Sequence, residues 1–136
     1  MSGDGARLYS GRWNEAGVPM VYTATSLALA AMEMFVHMDP SVAPEDLVAV
    51  EIFAPDALAV EMVEAGSLPA RWRATEVETA GIGTAWARSG RTVMLRVPSA
   101  VVEGEWNVLL NPAHGEFGRV EVVRAAAFHY DERMFR

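Results

Sequence analysis

The apolar run Leu27–Val36, LALAAMEMFV, admits a single charge, Glu33, and that combination narrows what the chain around it can become. The run is too short and too interrupted to span a bilayer. Its alanines, leucines and methionines are strong helix formers, and Thr25 or Ser26 stands ready as an N-cap, so the spacing predicts a helix that stops at Asp39-Pro40. Just before it, Val18–Ala24 reads as a short strand carrying Tyr22. A strand that runs straight into a helix, with a tyrosine ahead of the junction, builds one wall of a cleft.

Of the 136 residues 51% are hydrophobic, enough for one core and too few for two, so residues 1–136 are expected to form a single domain. The formal net charge is −7, and the eleven basic side chains are arginines with no lysine among them. A general nucleic-acid or anionic-membrane binder needs a basic stripe to neutralise phosphates, so no direct nucleic-acid contact and no membrane contact are expected. Small ligands or a basic protein are better matched partners. Cysteine is absent, which removes disulfides and thiolate chemistry. The N-terminus, MSGDGARLYSG, lacks the basic flank and apolar run of a signal peptide, its first ten residues read as mobile, and a soluble cytoplasmic protein is expected.

Further along, LVAVEIFA (47–54) reads as a strand with Val48, Val50 and Ile52 on one face, open to burial on both sides. DALAVEMVEAG has helical spacing yet suits a second extended segment equally well. A helix carrying Trp86 is expected from Thr75 to Ser89, weakened by Gly81 and Gly83 unless a neighbour needs close backbone approach there. TVMLRVPS is the clearest strand, ended by Pro98, and EWNVLLNPAHGEFG and RVEVVRAAAFHY supply two more. The sum is an α+β domain: a mixed, largely antiparallel sheet with flanking helices.

The residues able to carry chemistry each have a plain alternative. Glu33 either takes the one solvated face of its helix or is buried against a cation, for which Arg12 is the nearest candidate. Arg12 lies in Gly11-Arg12-Trp13-Asn14, where glycine lets the backbone turn tightly. Its fork would suit phosphate or carboxylate, or it pairs with Trp13 in a surface turn. Tyr22 is by default a core tyrosine with a satisfied hydroxyl. Ser99, after Pro98, is by default a turn or cap residue. His37, His114 and His129 have no metal-ligand spacing, and no metal site is expected. Gly81-Ile82-Gly83 lacks the third glycine of a dinucleotide fingerprint, and there is no P-loop.

Four segments taken together are more informative: GRWNEAGVPMVYTATSLALAAMEMFVH; LPARW followed by TAGIGTAWARSG; LRVPSAVVEGEWNVLLNPAH; and FHYDERMF. In this order and spacing, from about Gly3 to Phe135, the chain resembles the RES domain, the toxin half of bacterial Xre-RES toxin-antitoxin systems. Arg12 matches the arginine of that family's GGRWN motif, Glu33 the glutamate of the following helix, Ser99 the serine after Val-Pro, and Tyr22 the tyrosine before the helix. The resemblance implies a fold similar to ADP-ribosyltransferases and an attack on NAD that breaks the bond between nicotinamide and ribose, with water, phosphate or a protein side chain as acceptor.

In that scheme Glu33, Tyr22 and Ser99 are the catalytic residues, and Arg12, Tyr22 and Asn14 bind NAD, which is a substrate, with no metal required. Glu33 would stabilise positive charge on the ribose or hold a ribose hydroxyl, and Arg12 would neutralise the pyrophosphate. Tyr22 would stack on nicotinamide, and Ser99 would hydrogen-bond ribose or carboxamide. The implied partner is an Xre-family helix-turn-helix antitoxin. Two departures stand out: an upstream strand with an arginine, usual in the family, is expected to be missing here, and the glycine pair reads Ser10-Gly11. A sheet edge left unpaired by that strand invites a homodimer. The same departures keep open an alternative, a shortened RES-like module that binds antitoxin or nucleotide without turnover.

Overall fold

A computed structural model describes residues 1–8 and 10–136, without the Ala6 side chain. In the N-terminal stretch expected to be mobile, Asp4–Leu8 forms a short helix, α1, and the Arg7 carbonyl accepts from Gly17 N–H at 2.6 Å. Gly3, at φ +76°, lies so close to Met20 that a Cβ there would come within 2.6 Å of its backbone nitrogen. Tyr9, part of the same expectation, lies outside the described residues.

Strand β1 (Val21–Ala24) leads into α2 (Leu27–Phe35), capped by Ser26, whose hydroxyl accepts from Leu29 N–H at 3.1 Å. The helix closes before the predicted stop, because the chain tightens after Phe35 into i→i−3 bonds, His37 N–H to Met34 and Met38 N–H to Phe35. Then follow β2 (Leu47–Phe53), β3 (Val60–Met62), a 3-10 turn at Trp72–Ala74, α3 (Val77–Ser89), β4 (Met94–Pro98), β5 (Trp106–Leu110) and β6 (Glu121–Phe128). The ambiguous segment after Pro55 thus holds the short extended β3, with turns before it and a 3-10 turn at Ala65–Ser67 after it, and no α-helix. Gly90, left-handed at φ 64°, ends α3 in the way glycine does best.

Four strands form one sheet in the order β1-β5-β4-β3, with β1 on an edge; β3 and β4 are parallel, joined across α3, and the other pairs are antiparallel. Strands β2 and β6 make a separate antiparallel ribbon. That ribbon corrects the expectation of burial on both sides of 47–54, since Val48 is 60% exposed and Val50 49%. The pairing shifts between Glu51 and Ile52, and inward-facing residues change there from Leu47 and Ala49 to Ile52. Val48, Val50 and Ile52 therefore do not share one face.

Alternation along β4 and β5 divides the core. Leu95, Val97 and Leu109 pack with Trp13, Met20, Trp72 and Trp86 on one side of the sheet. Leu110, with Met94 and Val108, packs on the other with Leu58, Val93 and Val120. The register places Tyr22 opposite Leu109, so its ring belongs to the first side.

Candidate active site

Glu33 follows Leu29 by one helical turn, and Leu29 is buried, so the carboxylate projects from the inward face of α2. Its partner is Ser99, 66 residues away in the chain: Ser99 Oγ donates to Glu33 Oε1 at 2.6 Å. The expected alternatives for Glu33 were a solvated face or the Arg12 guanidinium; the partner is instead a buried serine hydroxyl. Ser99 is 1% exposed where β4 ends, and its Oγ also accepts from the Val101 and Val102 N–H groups at 3.1 and 3.0 Å. The turn therefore holds the oxygen still, and the hydroxyl hydrogen has one direction left, toward Glu33. Among the described residues nothing in the protein bonds Oε2, which remains available to a ligand hydroxyl or a developing positive charge.

Tyr22 combines an exposed ring with a sheltered hydroxyl. The residue is 43% exposed, yet its Oη accepts from Trp13 N–H at 3.1 Å and donates to Asn14 Oδ1. Removal of the hydroxyl from water pushes its pKa up to about 12, against a smaller lowering by the Trp13 N–H. Tyr22 is thus a neutral phenol at physiological pH, with its hydrogen committed to Asn14 and its ring open to stacking. Asn14 itself is fully buried and accepts from the Tyr22 hydroxyl. Gly11 must lack a side chain here, because a Cβ would come within 2.8 Å of Asn14 Oδ1 and 2.9 Å of Tyr22 Oη.

Arg12 is half-buried and turns its guanidinium toward the 3-10 turn. It donates to the carbonyls of Trp72 at 2.9 Å, Arg73 at 3.3 Å and Thr75 at 3.5 Å, and lies 5.8 Å from the centroid of the Trp72 ring. The next residue, Trp13, is buried against Trp72, with ring centroids 6.2 Å apart, so it is a core residue and not a stacking face. Arg73 stacks on the same Trp72 ring at 4.5 Å. Two guanidinium groups thus converge on one indole beside the segment that holds Tyr22.

The platform beneath this segment is α3. Thr79 Oγ1 donates to the Arg12 carbonyl at 2.5 Å, Thr84 Oγ1 accepts from Glu15 N–H at 2.9 Å, and a Cβ on Gly83 would come within 1.8 Å of Trp13 O. Glycine inside this helix answers the need for close approach anticipated from the sequence, at Gly83 but not at Gly81, where nothing lies within 4 Å. Thr79 and Thr84 were not anticipated. Their signal was the spacing around Gly83, which puts all three on one helical face.

No group of three or more His, Asp or Glu gathers to hold a metal ion among the described residues. His114 Nδ1 accepts from Glu116 N–H at 3.0 Å in a turn. Among those residues, too, no helix is long and apolar enough to cross a membrane.

Comparison with known proteins adds independent information. The model of the RES domain matches residues 1–131. A protein of Sphingobium sp. strain YBL2 named Prs ADP-ribosylating toxin is 41% identical over 140 residues, spanning 100% of this chain and 87% of its own. Proteins named Toxin Res from Photorhabdus laumondii and Yersinia enterocolitica are 36% and 34% identical, over 99% and 98% of this chain and 88% and 89% of theirs. Among solved structures, the Mycobacterium tuberculosis MbcT-MbcA toxin-antitoxin complex contains a chain with the same fold, at TM-score 0.63 and 18% identity, covering 95% of this chain and 77% of that one.

Proposed function

The chain belongs to the RES domain family, and from that premise we propose that it is a toxin that consumes NAD, acting as one domain over residues 1–136. The observation that carries this reading is the Ser99–Glu33 hydrogen bond, which aims a carboxylate that has one oxygen left for substrate. Cleavage breaks the bond between the nicotinamide nitrogen and the ribose carbon; the bonding electrons leave with nicotinamide, and positive charge builds on the ribose. Glu33 stabilises that charge or holds a ribose hydroxyl, as carboxylates do in glycoside hydrolysis. The acceptor that then bonds the ribose carbon is water, phosphate or a protein side chain.

Tyr22 offers its ring to the nicotinamide, Asn14 fixes that ring through the hydroxyl, and Arg12 brings positive charge toward the pyrophosphate. Ser99 acts by orienting Glu33. The proposed setting is the cytoplasm, and the proposed partner is an Xre-family helix-turn-helix antitoxin, supported by the antitoxin bound to the neighbour of the same fold. The edge strand β1 makes a homodimer a further proposal. The net charge of −7 supports an absence of direct nucleic-acid contact.

Incubation of the purified chain with NAD, with and without inorganic phosphate, tests the reading through released nicotinamide. Release that falls about a hundredfold or more in a folded Glu33→Gln variant is the expected result. No release under either condition, and none with bacterial lysate protein added as acceptor, would sink it. One observation favours the non-catalytic alternative: the Arg12 guanidinium already donates to three backbone carbonyls. That alternative predicts saturable NAD or antitoxin binding with no nicotinamide released.

A further inference from the structure

Arg96 lies on the side of the sheet opposite the Tyr22 ring, paired in register with Val108 on β5. Its guanidinium carbon stands 4.5 Å from the centroid of the Trp106 ring, a cation-π stack that fixes the plane of the fork. Its Nε is buried and has no hydrogen-bond partner, the single such side-chain atom among the described residues. Nor does any carboxylate pair with it there, in a chain with 18 Asp and Glu residues. Buried polar atoms are nearly always satisfied, so the unpaired Nε of this oriented guanidinium calls for an explanation.

The same arginine lines an open, solvent-exposed cavity of about 350 Å³. Leu58, Val60, Met94 and Val108 give it apolar walls, and Asp56 adds one carboxylate. We propose that this cavity binds a small organic monocarboxylate with an apolar body, with the carboxylate on Arg96 and the body against those walls. A planar, stacked guanidinium matches a carboxylate through parallel N–H donors. Asp56 opposes a second negative charge, which disfavours phosphate esters and other dianions. The site is separate from the proposed NAD chemistry and does not depend on it.

The test is a nuclear magnetic resonance titration of the whole chain with 4-methylpentanoate, following the Arg96 Nε–H and Trp106 indole N–H signals. Saturable shifts of both are expected, with 4-methylpentanamide and inorganic phosphate producing neither. Arg96→Gln should weaken binding about tenfold or more, the effect of losing a charge-assisted hydrogen bond. Val60→Asp, at an exposed wall position, should weaken it similarly by charge repulsion without touching Arg96. No saturable shift at millimolar 4-methylpentanoate would overturn the proposal. So would equal affinity for the amide, or undiminished binding in either folded variant.

Discussion

Ser99 Oγ donates to Glu33 Oε1 at 2.6 Å while accepting from two backbone N–H groups of the turn that follows β4. One hydroxyl thereby joins the end of a strand to the inner face of a helix and sets the direction of the carboxylate. Ser99→Ala removes both functions. The Val101 and Val102 N–H groups lose their acceptor, which should cost about 1–3 kcal/mol, read as a lowered denaturant midpoint. NAD turnover should fall with KM little changed, because Glu33 remains but is no longer aimed.

Tyr22 is expected to ionise late. With its pKa pushed from 10.0 to about 12, an ultraviolet difference titration should show a tyrosine still protonated where an exposed one is half ionised. Tyr130 is also raised by desolvation, so the Tyr22 signal is identified by its loss in Tyr22→Phe. The unfolded chain gives up this proton first, so its contribution to stability is intact below pH 10 and is lost as pH rises from 10 toward 12. Over pH 6–9, about where the enzyme would work, activity should show no step from this group.

The ring and the hydroxyl of Tyr22 can be separated by mutation. Tyr22→Phe keeps the stacking surface but leaves Asn14 Oδ1 and Trp13 N–H without their partner, so stability should fall by about 1–3 kcal/mol while measurable NAD turnover persists. Tyr22→Ala should abolish turnover in steady-state assays, because no ring remains to present.

Gly83 and Gly81, two residues apart on α3, should respond in opposite directions to alanine. A Cβ at Gly83 would stand 1.8 Å from Trp13 O, so Gly83→Ala must push the 12–15 segment off the helix, at a cost of about 3 kcal/mol, with activity lost alongside stability. Gly81→Ala meets nothing within 4 Å and should stabilise by about 0.5–1 kcal/mol through helix propensity. Thermal melts of the two variants beside the parent decide the matter.

Arg12→Lys keeps the charge but replaces a fork with a point. Lysine cannot reach the Trp72, Arg73 and Thr75 carbonyls together as the guanidinium does. Proteolysis should become faster within residues 69–76, and affinity for NAD should weaken. Wild-type proteolysis with unchanged affinity would mean that Arg12 serves neither the turn nor the ligand.

Much of the local structure was legible along the chain. Thr25 or Ser26 announced the start of α2, which Ser26 caps, Pro98 announced the end of β4, and glycine in α3 left room for a close neighbour, because caps, proline and missing side chains act over a few residues. The ribbon of β2 and β6 was not legible on its exposed side. Val48 and Val50 have the same hydrophobicity whether a second layer covers them or not, and the register shift that moves Ile52 to the other face belongs to the pairing of two strands.

For the candidate site, the residues were expected from the sequence and its family resemblance, and their partnerships came from the fold. Glu33 was recognisable as a lone carboxylate in an apolar helix, and Arg12, Asn14, Tyr22 and Ser99 by their order along the chain. That Glu33 meets Ser99 rather than Arg12, that Arg12 meets the carbonyls around Trp72, and that Asn14 bonds the Tyr22 hydroxyl were decided by tertiary structure. Composition and short-range pattern encode which segments become strands and helices. The bonds of Glu33 to Ser99, of Arg12 to Trp72 and of Thr79 to Arg12 join residues 60 or more positions apart, and these exist only once the strands have paired and α3 has packed beneath the 12–15 segment.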